Sequence, residues 1–412
     1  MHILFVTPYV PSPIRVRPFN LIKFLAKEHE ISLVSLLVDD YEQAMVKNIE
    51  QYCVSIDLVS LPKWRAYANC LRALPTSTPL RVAYYHSQAL IQRLKEVIRR
   101  QQIELVHGEL IKVVPALKSI ISEANIPVFY DSVDCISWLL QQKLENTRGF
   151  LKKIFIYSEL QKMRRYERDE LAHFHQLIIT SESDRDRLSQ LIGQPKDIQV
   201  VRNGVDTSYF SPLSAPRITN SLVFCAKLDY FPNTQAILSF CQNILPRVWR
   251  RRPDTRLTIV GNNPPKAVHA LSKDKRITVT GYVPDIRPYL GTASIALAPL
   301  LVAAGMQNKI LEALAMGTPI VTTPHCSRTL GTQNGVHLLV AEETQAFADD
   351  IVKLLEDPLL AQQLGRAGRQ FVIEHYSWAT SANTLNQLYN SMIVPQRQMV
   401  SASVPDSREL KN

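Results

Sequence analysis

The chain has no apolar run of the roughly 18–20 residues that a helical membrane span requires, so a spanning protein is not expected. It also lacks the basic leader and cleavage site of a secretory signal. Met1-His2-Ile3-Leu4-Phe5-Val6-Thr7-Pro8 reads instead as a first strand, which points to a cytoplasmic protein. There is no C-x-x-C pair and no cysteine–histidine set at metal-ligand spacing, so no structural metal is expected. The six cysteines (Cys53, Cys70, Cys135, Cys225, Cys241 and Cys326) are scattered and read as reduced, buried small hydrophobes. No repeat of short period is visible. Nothing resembles an RNA-binding or helix-turn-helix signature, so nucleic acid is not the expected partner.

What is present is a chain of 412 residues, too long for one core and suited to two domains. Its 46% hydrophobic and 20% charged residues are those of a soluble globular protein. A net charge of +10 calls for an anionic partner, either a phosphorylated ligand or an acidic membrane surface.

Short apolar runs alternate with helical periodicity throughout, the pattern of parallel sheets covered on both faces. In the first half, strands are expected at 2–7, 30–36, 56–59, 105–107, 127–130 and 177–180, and helices at 17–28, 41–51, 84–102, 113–124, 150–173 and 182–192. The pattern then starts over, with strands at 221–225, 256–260, 277–280, 294–298, 319–323 and 336–340. Arg202-Asn203-Gly204-Val205-Asp206, followed by Pro212 and Pro216, is a turn-rich joint. The expected organisation is an α/β protein with a first Rossmann-like domain over 1–205 and a second over 206–375. A last helix follows over 376–394, and a polar, aperiodic tail over 395–412 reads as disordered.

The most informative segment runs from Gly305 to Val321. It reads as a glycine loop, a helix whose first turn carries Asn308, Lys309 and Glu312, a Gly317 stop and a strand. Upstream, Ser294–Pro299 reads as a buried strand. Backbone N–H groups at such a helix start attract phosphate, and Lys309 adds charge. Asn308 and Glu312 are four apart and share a helix face. A buried carboxylate there needs donors, and sugar hydroxyls supply them. The same pattern also serves an ordinary βα unit with a solvated lysine, and local spacing leaves both open.

Several segments in order resemble family 4 (group 1) retaining glycosyltransferases of the GT-B fold. Val201-Arg202-Asn203-Gly204-Val205-Asp206-Thr207-Ser208-Tyr209-Phe210 resembles that family's junction between domains. Val223–Asn233 resembles its first donor-domain strand and loop. Leu257–Gly261, Val279–Asp285 and Gly305–Val321 follow in the family's order, and Tyr376-Ser377-Trp378 resembles the start of its last helix, which crosses back to the first domain. In the first half, Pro11–Leu21, Asp131-Ser132-Val133-Asp134 and Arg164–Arg168 are similar to the subgroup associated with exopolysaccharide synthesis.

The resemblance implies two doubly wound domains facing across a cleft, and transfer of a sugar from a nucleoside diphosphate sugar to a hydroxyl acceptor. No permanently bound cofactor and no metal are implied. Lys227 and Lys309 fall on the donor diphosphate, with Gly305, Gln307 and Asn308 completing its cradle and Glu312 on the ribose. Lys227 stands where relatives usually carry arginine, which keeps the charge and loses the two-pronged fork. A second lysine common in relatives falls near Pro232, and a first glutamate falls on Ala304, so two of the family's contacts are missing. His107, at a strand end in the first domain, is a candidate for a polar or catalytic contact, with Glu109 a weaker one. Arg15 and Arg17 are candidates for an acceptor phosphate. No general base is named.

Basic and apolar residues interleave at Phe150–Tyr157 and at Lys63–Tyr67, which suits contact with an anionic bilayer on the inner face of the plasma membrane, and so a lipid-linked acceptor, as well as an amphipathic core helix. The alternatives to transfer are a nucleotide-sugar epimerase of the same fold and a non-catalytic nucleotide-sugar-binding subunit of a polysaccharide assembly.

Overall fold

The computed structural model describes residues 1–402 apart from 14, 39, 122, 124–125, 148, 194–196 and 301–305, and the side chains of 40–41 and 394–402. The chain forms two compact units. One is Met1–Val201 together with the described residues from Ala379 onward, and the other is Arg202–Trp378.

The first unit holds β1 (His2–Thr7), β2 (Glu30–Leu37), β3 (Ser55–Ser60), β4 (Leu105–Glu109), β5 (Val128–Val133), β6 (Gln176–Ile179) and β7 (Ile198–Val200). They form one sheet in the order β3-β2-β1-β4-β5-β6-β7, with every neighbouring pair parallel. Ile3, Leu4, Phe5 and Val6 are all fully buried, as expected of a central strand covered by helices on both faces.

The second unit repeats the design. Its strands are β8 (Ile218–Cys225), β9 (Arg256–Val260), β10 (Ile277–Gly281), β11 (Ala293–Ala298), β12 (Ile320–Thr322) and β13 (Leu339–Val340), in the order β10-β9-β8-β11-β12-β13 and all parallel. Each sheet is therefore doubly wound, and its strand order reverses once: between β1 and β4, and between β8 and β11. In such sheets ligands bind beyond the carboxyl ends of the strands at the reversal.

Three expectations change. A single helix over 84–102 is in fact two, Leu80–Tyr84 and Gln88–Arg100, because the Ser87 side chain accepts the Leu90 N–H at 3.2 Å and starts a new helix. The last helix runs Trp378–Ala402, past Pro395, where a disordered tail is expected from 395. An interior proline removes one helical hydrogen bond and crowds the carbonyl four residues back, and glutamine, arginine and methionine around it favour helix and oppose that cost. β7 and the Lys63–Ala73 and Ile136–Glu145 helices are additional to the expected elements.

Candidate active site

In the second unit the reversal point brings together the loop after β8, the turn after β9 and the Asn308–Ala315 helix. Lys309 points its ammonium at two neutral oxygens, Asn233 Oδ1 and Gln307 Oε1, each at 2.9 Å. An ammonium has three donors, and no carboxylate pairs with this one among the described residues. Burial pulls the Lys309 pKa down to about 8, with Cys326 and Glu312 opposing.

Glu312 lies one turn further along. Burial pushes its carboxyl up to about 7, offset in part by Lys309. Among the described residues it meets no hydrogen-bond donor. Asn308 is fixed differently: its Oδ1 accepts from Asn203 Nδ2 at 3.0 Å, which ties the turn-rich joint to the helix start. Asn308, Lys309 and Glu312 thus present an amide, an ammonium and a carboxylate from a little over one helical turn.

Asn233 is the residue that the sequence reading left without a role. It is buried, its Oδ1 accepts from Lys309, and its Nδ2 donates to the Lys227 carbonyl at 2.9 Å. One amide therefore joins the loop carrying Lys227 to the helix carrying Lys309. Its only sequence signal is a polar residue in the first turn of a helix, which is too common to be diagnostic. Lys227 itself is half exposed, with its ammonium 3.7 Å from Asp229. Gly305, expected in the cradle, and Ala304 lie outside the described residues.

The Lys227 loop rests on Gly261. A Cβ there would stand 1.7 Å from the Ala226 carbonyl oxygen, and a backbone atom cannot move aside as a side-chain tip can. Gly261→Ala is expected to cost roughly 1–3 kcal/mol and to shift the loop. Thermal unfolding would show a lowered midpoint; an unchanged midpoint would contradict it.

In the first unit, His107 sits inside the protein at 1% exposure. Its Nδ1 lies 2.8 Å from the Tyr389 hydroxyl, its Nε2 lies 3.7 Å from Asp131, and its ring packs on Phe5. Burial lowers its pKa, with Asp131 opposing, so the ring is neutral at pH 7. Arg17 is likewise committed: its Nε donates to Asp131 Oδ2 at 2.8 Å, and its Nη2 lies 2.6 Å from the same oxygen in a buried ion pair. The expectation that Arg17 reaches an acceptor phosphate is therefore corrected. Nearer the surface, the Arg15 guanidinium stands 4.2 Å from the centre of the Tyr9 ring, and Lys112 stands 4.2 Å from that of Tyr85. Glu109, buried at the end of β4, has its carboxyl pushed up to about 8 by burial and the nearby Asp131. The described residues contain no cluster able to hold a metal ion.

Comparison with known proteins narrows what this arrangement resembles. Residues 219–357 match the family described as "Glycosyl transferases group 1". A glycogen synthase of Mycobacterium tuberculosis is 28% identical over 256 residues, 56% of this chain and 59% of that protein. The match thus spans under two-thirds of that relative's length. An uncharacterized 44.6 kDa protein from the cps region of Klebsiella pneumoniae is 22% identical over 368 residues, 84% of this chain and 88% of that one. Among solved structures, sucrose-phosphate synthase from Thermosynechococcus elongatus aligns with a TM-score of 0.70 at 15% identity, covering 98% and 100% of the two chains. Anabaena HepE, solved in complex with UDP and glucose, aligns with a TM-score of 0.67 at 15% identity, covering 95% and 100%. At those identities the likeness is one of fold.

Proposed function

We propose, for a chain that belongs to the group 1 glycosyltransferases of the GT-B fold, that it moves a sugar from a nucleoside diphosphate sugar to a hydroxyl of a glycan acceptor with retention at the anomeric carbon. One observation carries this reading: among the described residues, the Lys309 ammonium keeps a spare donor and the Glu312 carboxylate meets none, and the two stand a turn apart on a single helix. The pair matches the two ends of a nucleoside diphosphate, anionic at the phosphates and rich in hydroxyls at the ribose. In this reading Lys309 and Lys227 take the diphosphate, Gln307, Asn308 and Gly305 line it, and Glu312 accepts from the ribose.

As transfer proceeds, the bond from the anomeric carbon to the phosphate oxygen breaks and a bond to the acceptor oxygen forms on the same face. The acceptor's proton passes to the leaving phosphate. Negative charge grows on that phosphate, and fixed cations beside it stabilise the transition state more than the ground state. Buried His107 does not touch substrate in this reading; it positions the strand end that bears Glu109. The cps-region relative supports a role in exopolysaccharide or other cell-surface glycan synthesis, and the UDP and glucose held by HepE support a donor of that class.

The test is a screen of nucleoside diphosphate sugars for donor hydrolysis and transfer, with calorimetric titration of UDP and GDP. Absence of both binding and turnover would reject the assignment. A pH signature accompanies it. Glu312 must be ionised to accept from hydroxyls, and Lys309 must be protonated to hold phosphate. Affinity should therefore rise as pH climbs through about 7 and fall as it passes about 8. Glu312→Gln should weaken nucleotide binding by roughly tenfold to a hundredfold and erase the acid limb alone. An unchanged acid limb would remove Glu312 from the site.

A further inference from the structure

Two helices of the first unit expose apolar side chains that no core uses. On the Lys63–Ala73 helix, Trp64, Tyr67 and Leu71 recur at helical spacing and are all exposed, and Leu74 continues the stripe just past the helix end. At the start of the Phe150–Leu171 helix, Phe150 and Leu151 are 77% and 80% exposed, the highest values of any large apolar side chain among the described residues. Ile154, Phe155 and Tyr157 follow them, also exposed. The helices are tied together where Lys162 Nζ donates to the carbonyls of Ala73 and Leu74 at 3.3 and 3.1 Å. Phe155 and Leu151 precede Lys162 by about two and three helical turns, so they lie on its side of the helix. Lys162 thus joins the end of the first stripe, at Leu74, to the side of the helix that carries Leu151 and Phe155.

Apolar area of this kind marks an interaction surface, and its charge says which. Lys63, Arg65 and Arg72 flank the first stripe, and Lys152 and Lys153 the second. No acidic residue occurs between Asp57 and Glu96, nor between Glu145 and Glu159. A second copy of this chain packed symmetrically on the same face would set these cations against their own images. An anionic bilayer instead offers headgroup phosphates to the cations and acyl chains to the rings. No described helix is long and apolar enough to cross a membrane, so the contact is with its surface.

We propose that this double-helix face docks the protein on anionic lipid, with Trp64, Leu71, Leu151 and Phe155 in the interfacial layer and the five cations at the headgroups. A lipid-linked acceptor would then be met at the bilayer, but docking can be read without any sugar transfer, so its failure and that of the transferase reading are separable.

The experiment is flotation of the full chain with vesicles of phosphatidylcholine alone or with about 30% phosphatidylglycerol, a mixture chosen to give an anionic surface. Binding is expected only weakly to the first, at least roughly tenfold more tightly to the second, and to fall with added salt. Trp64 fluorescence should shift to the blue on binding. Leu151→Ser with Phe155→Ser, and separately Lys152→Glu with Lys153→Glu, should each lose at least roughly tenfold in affinity. These side chains are exposed, so melting curves should be unchanged, and Leu359→Ser, exposed in the second unit, should bind like the parent. No flotation with anionic vesicles, or equal flotation of parent and variants, would overturn the proposal. So would a dimer in sedimentation equilibrium that the same substitutions dissociate while lipid binding is absent.

Discussion

Lys309→Met is expected to lower sugar transfer by roughly 10²–10³-fold, the usual loss when one group stabilising a developing anion is removed. Methionine keeps an unbranched stem of similar length, so packing changes little. What disappears is a cation on the helix start that, among the described residues, has a donor to spare. Stability should move the other way or not at all. Burial holds the native Lys309 pKa near 8, below its ordinary value. The charged form therefore costs folding free energy below the unfolded pKa, and that cost is fully present by pH 7. Neutral methionine relieves it. Transfer assays and thermal melts on one preparation separate the outcomes: lost transfer with an unlowered melting midpoint fits a ligand-binding lysine. A lowered midpoint with normal transfer would make Lys309 a structural residue and remove the main support for the donor site.

In the first unit, Arg17→Met is expected to destabilise the protein by about 3–5 kcal/mol, because it strands the buried Asp131 carboxylate without its guanidinium. Both side chains are nearly inaccessible, at 4% and 0%. For a unit of this size the melting midpoint should drop by roughly 6–20 °C. The pH dependence has a definite sign. Burial pushes the Asp131 carboxyl up, but Arg17 and His107 outweigh it and hold it below the ordinary value. Stability from the pair is therefore complete above the unfolded carboxylate value near pH 4, and it is lost as pH falls through the lower native value. The gap between parent and variant should close in acid. Arg17→Lys, which keeps charge without the fork, should fall between them. Melts that do not separate parent from Arg17→Met at pH 7 would show that the pair contributes nothing net.

The parts of the molecule that were legible beforehand share a physical trait. Buried parallel strands read as short continuous apolar runs, since both faces are covered, and this is why Ile3–Val6 and Ile295–Ala298 could be placed from composition alone. Asn308, Lys309 and Glu312 were legible as a group because a helix sets residues three and four apart side by side, and that spacing is local.

What the sequence by itself determined is the alternation of strands and helices, the repeat of that alternation from one unit to the next, and the short-range chemistry of the helix start. Those features depend on backbone geometry over one or two turns. The tertiary structure alone decided that Asn233 joins Lys227 to Lys309, that Asn203 steadies Asn308, and that Tyr389 seals His107. It also decided that Arg17 is spent on Asp131, and that Phe150 and Leu151 face outward, where a helical pattern equally fits a core. Each of these is a contact, or the lack of one, between side chains distant along the chain. Periodicity can say which residues share a face, but only packing settles what that face meets.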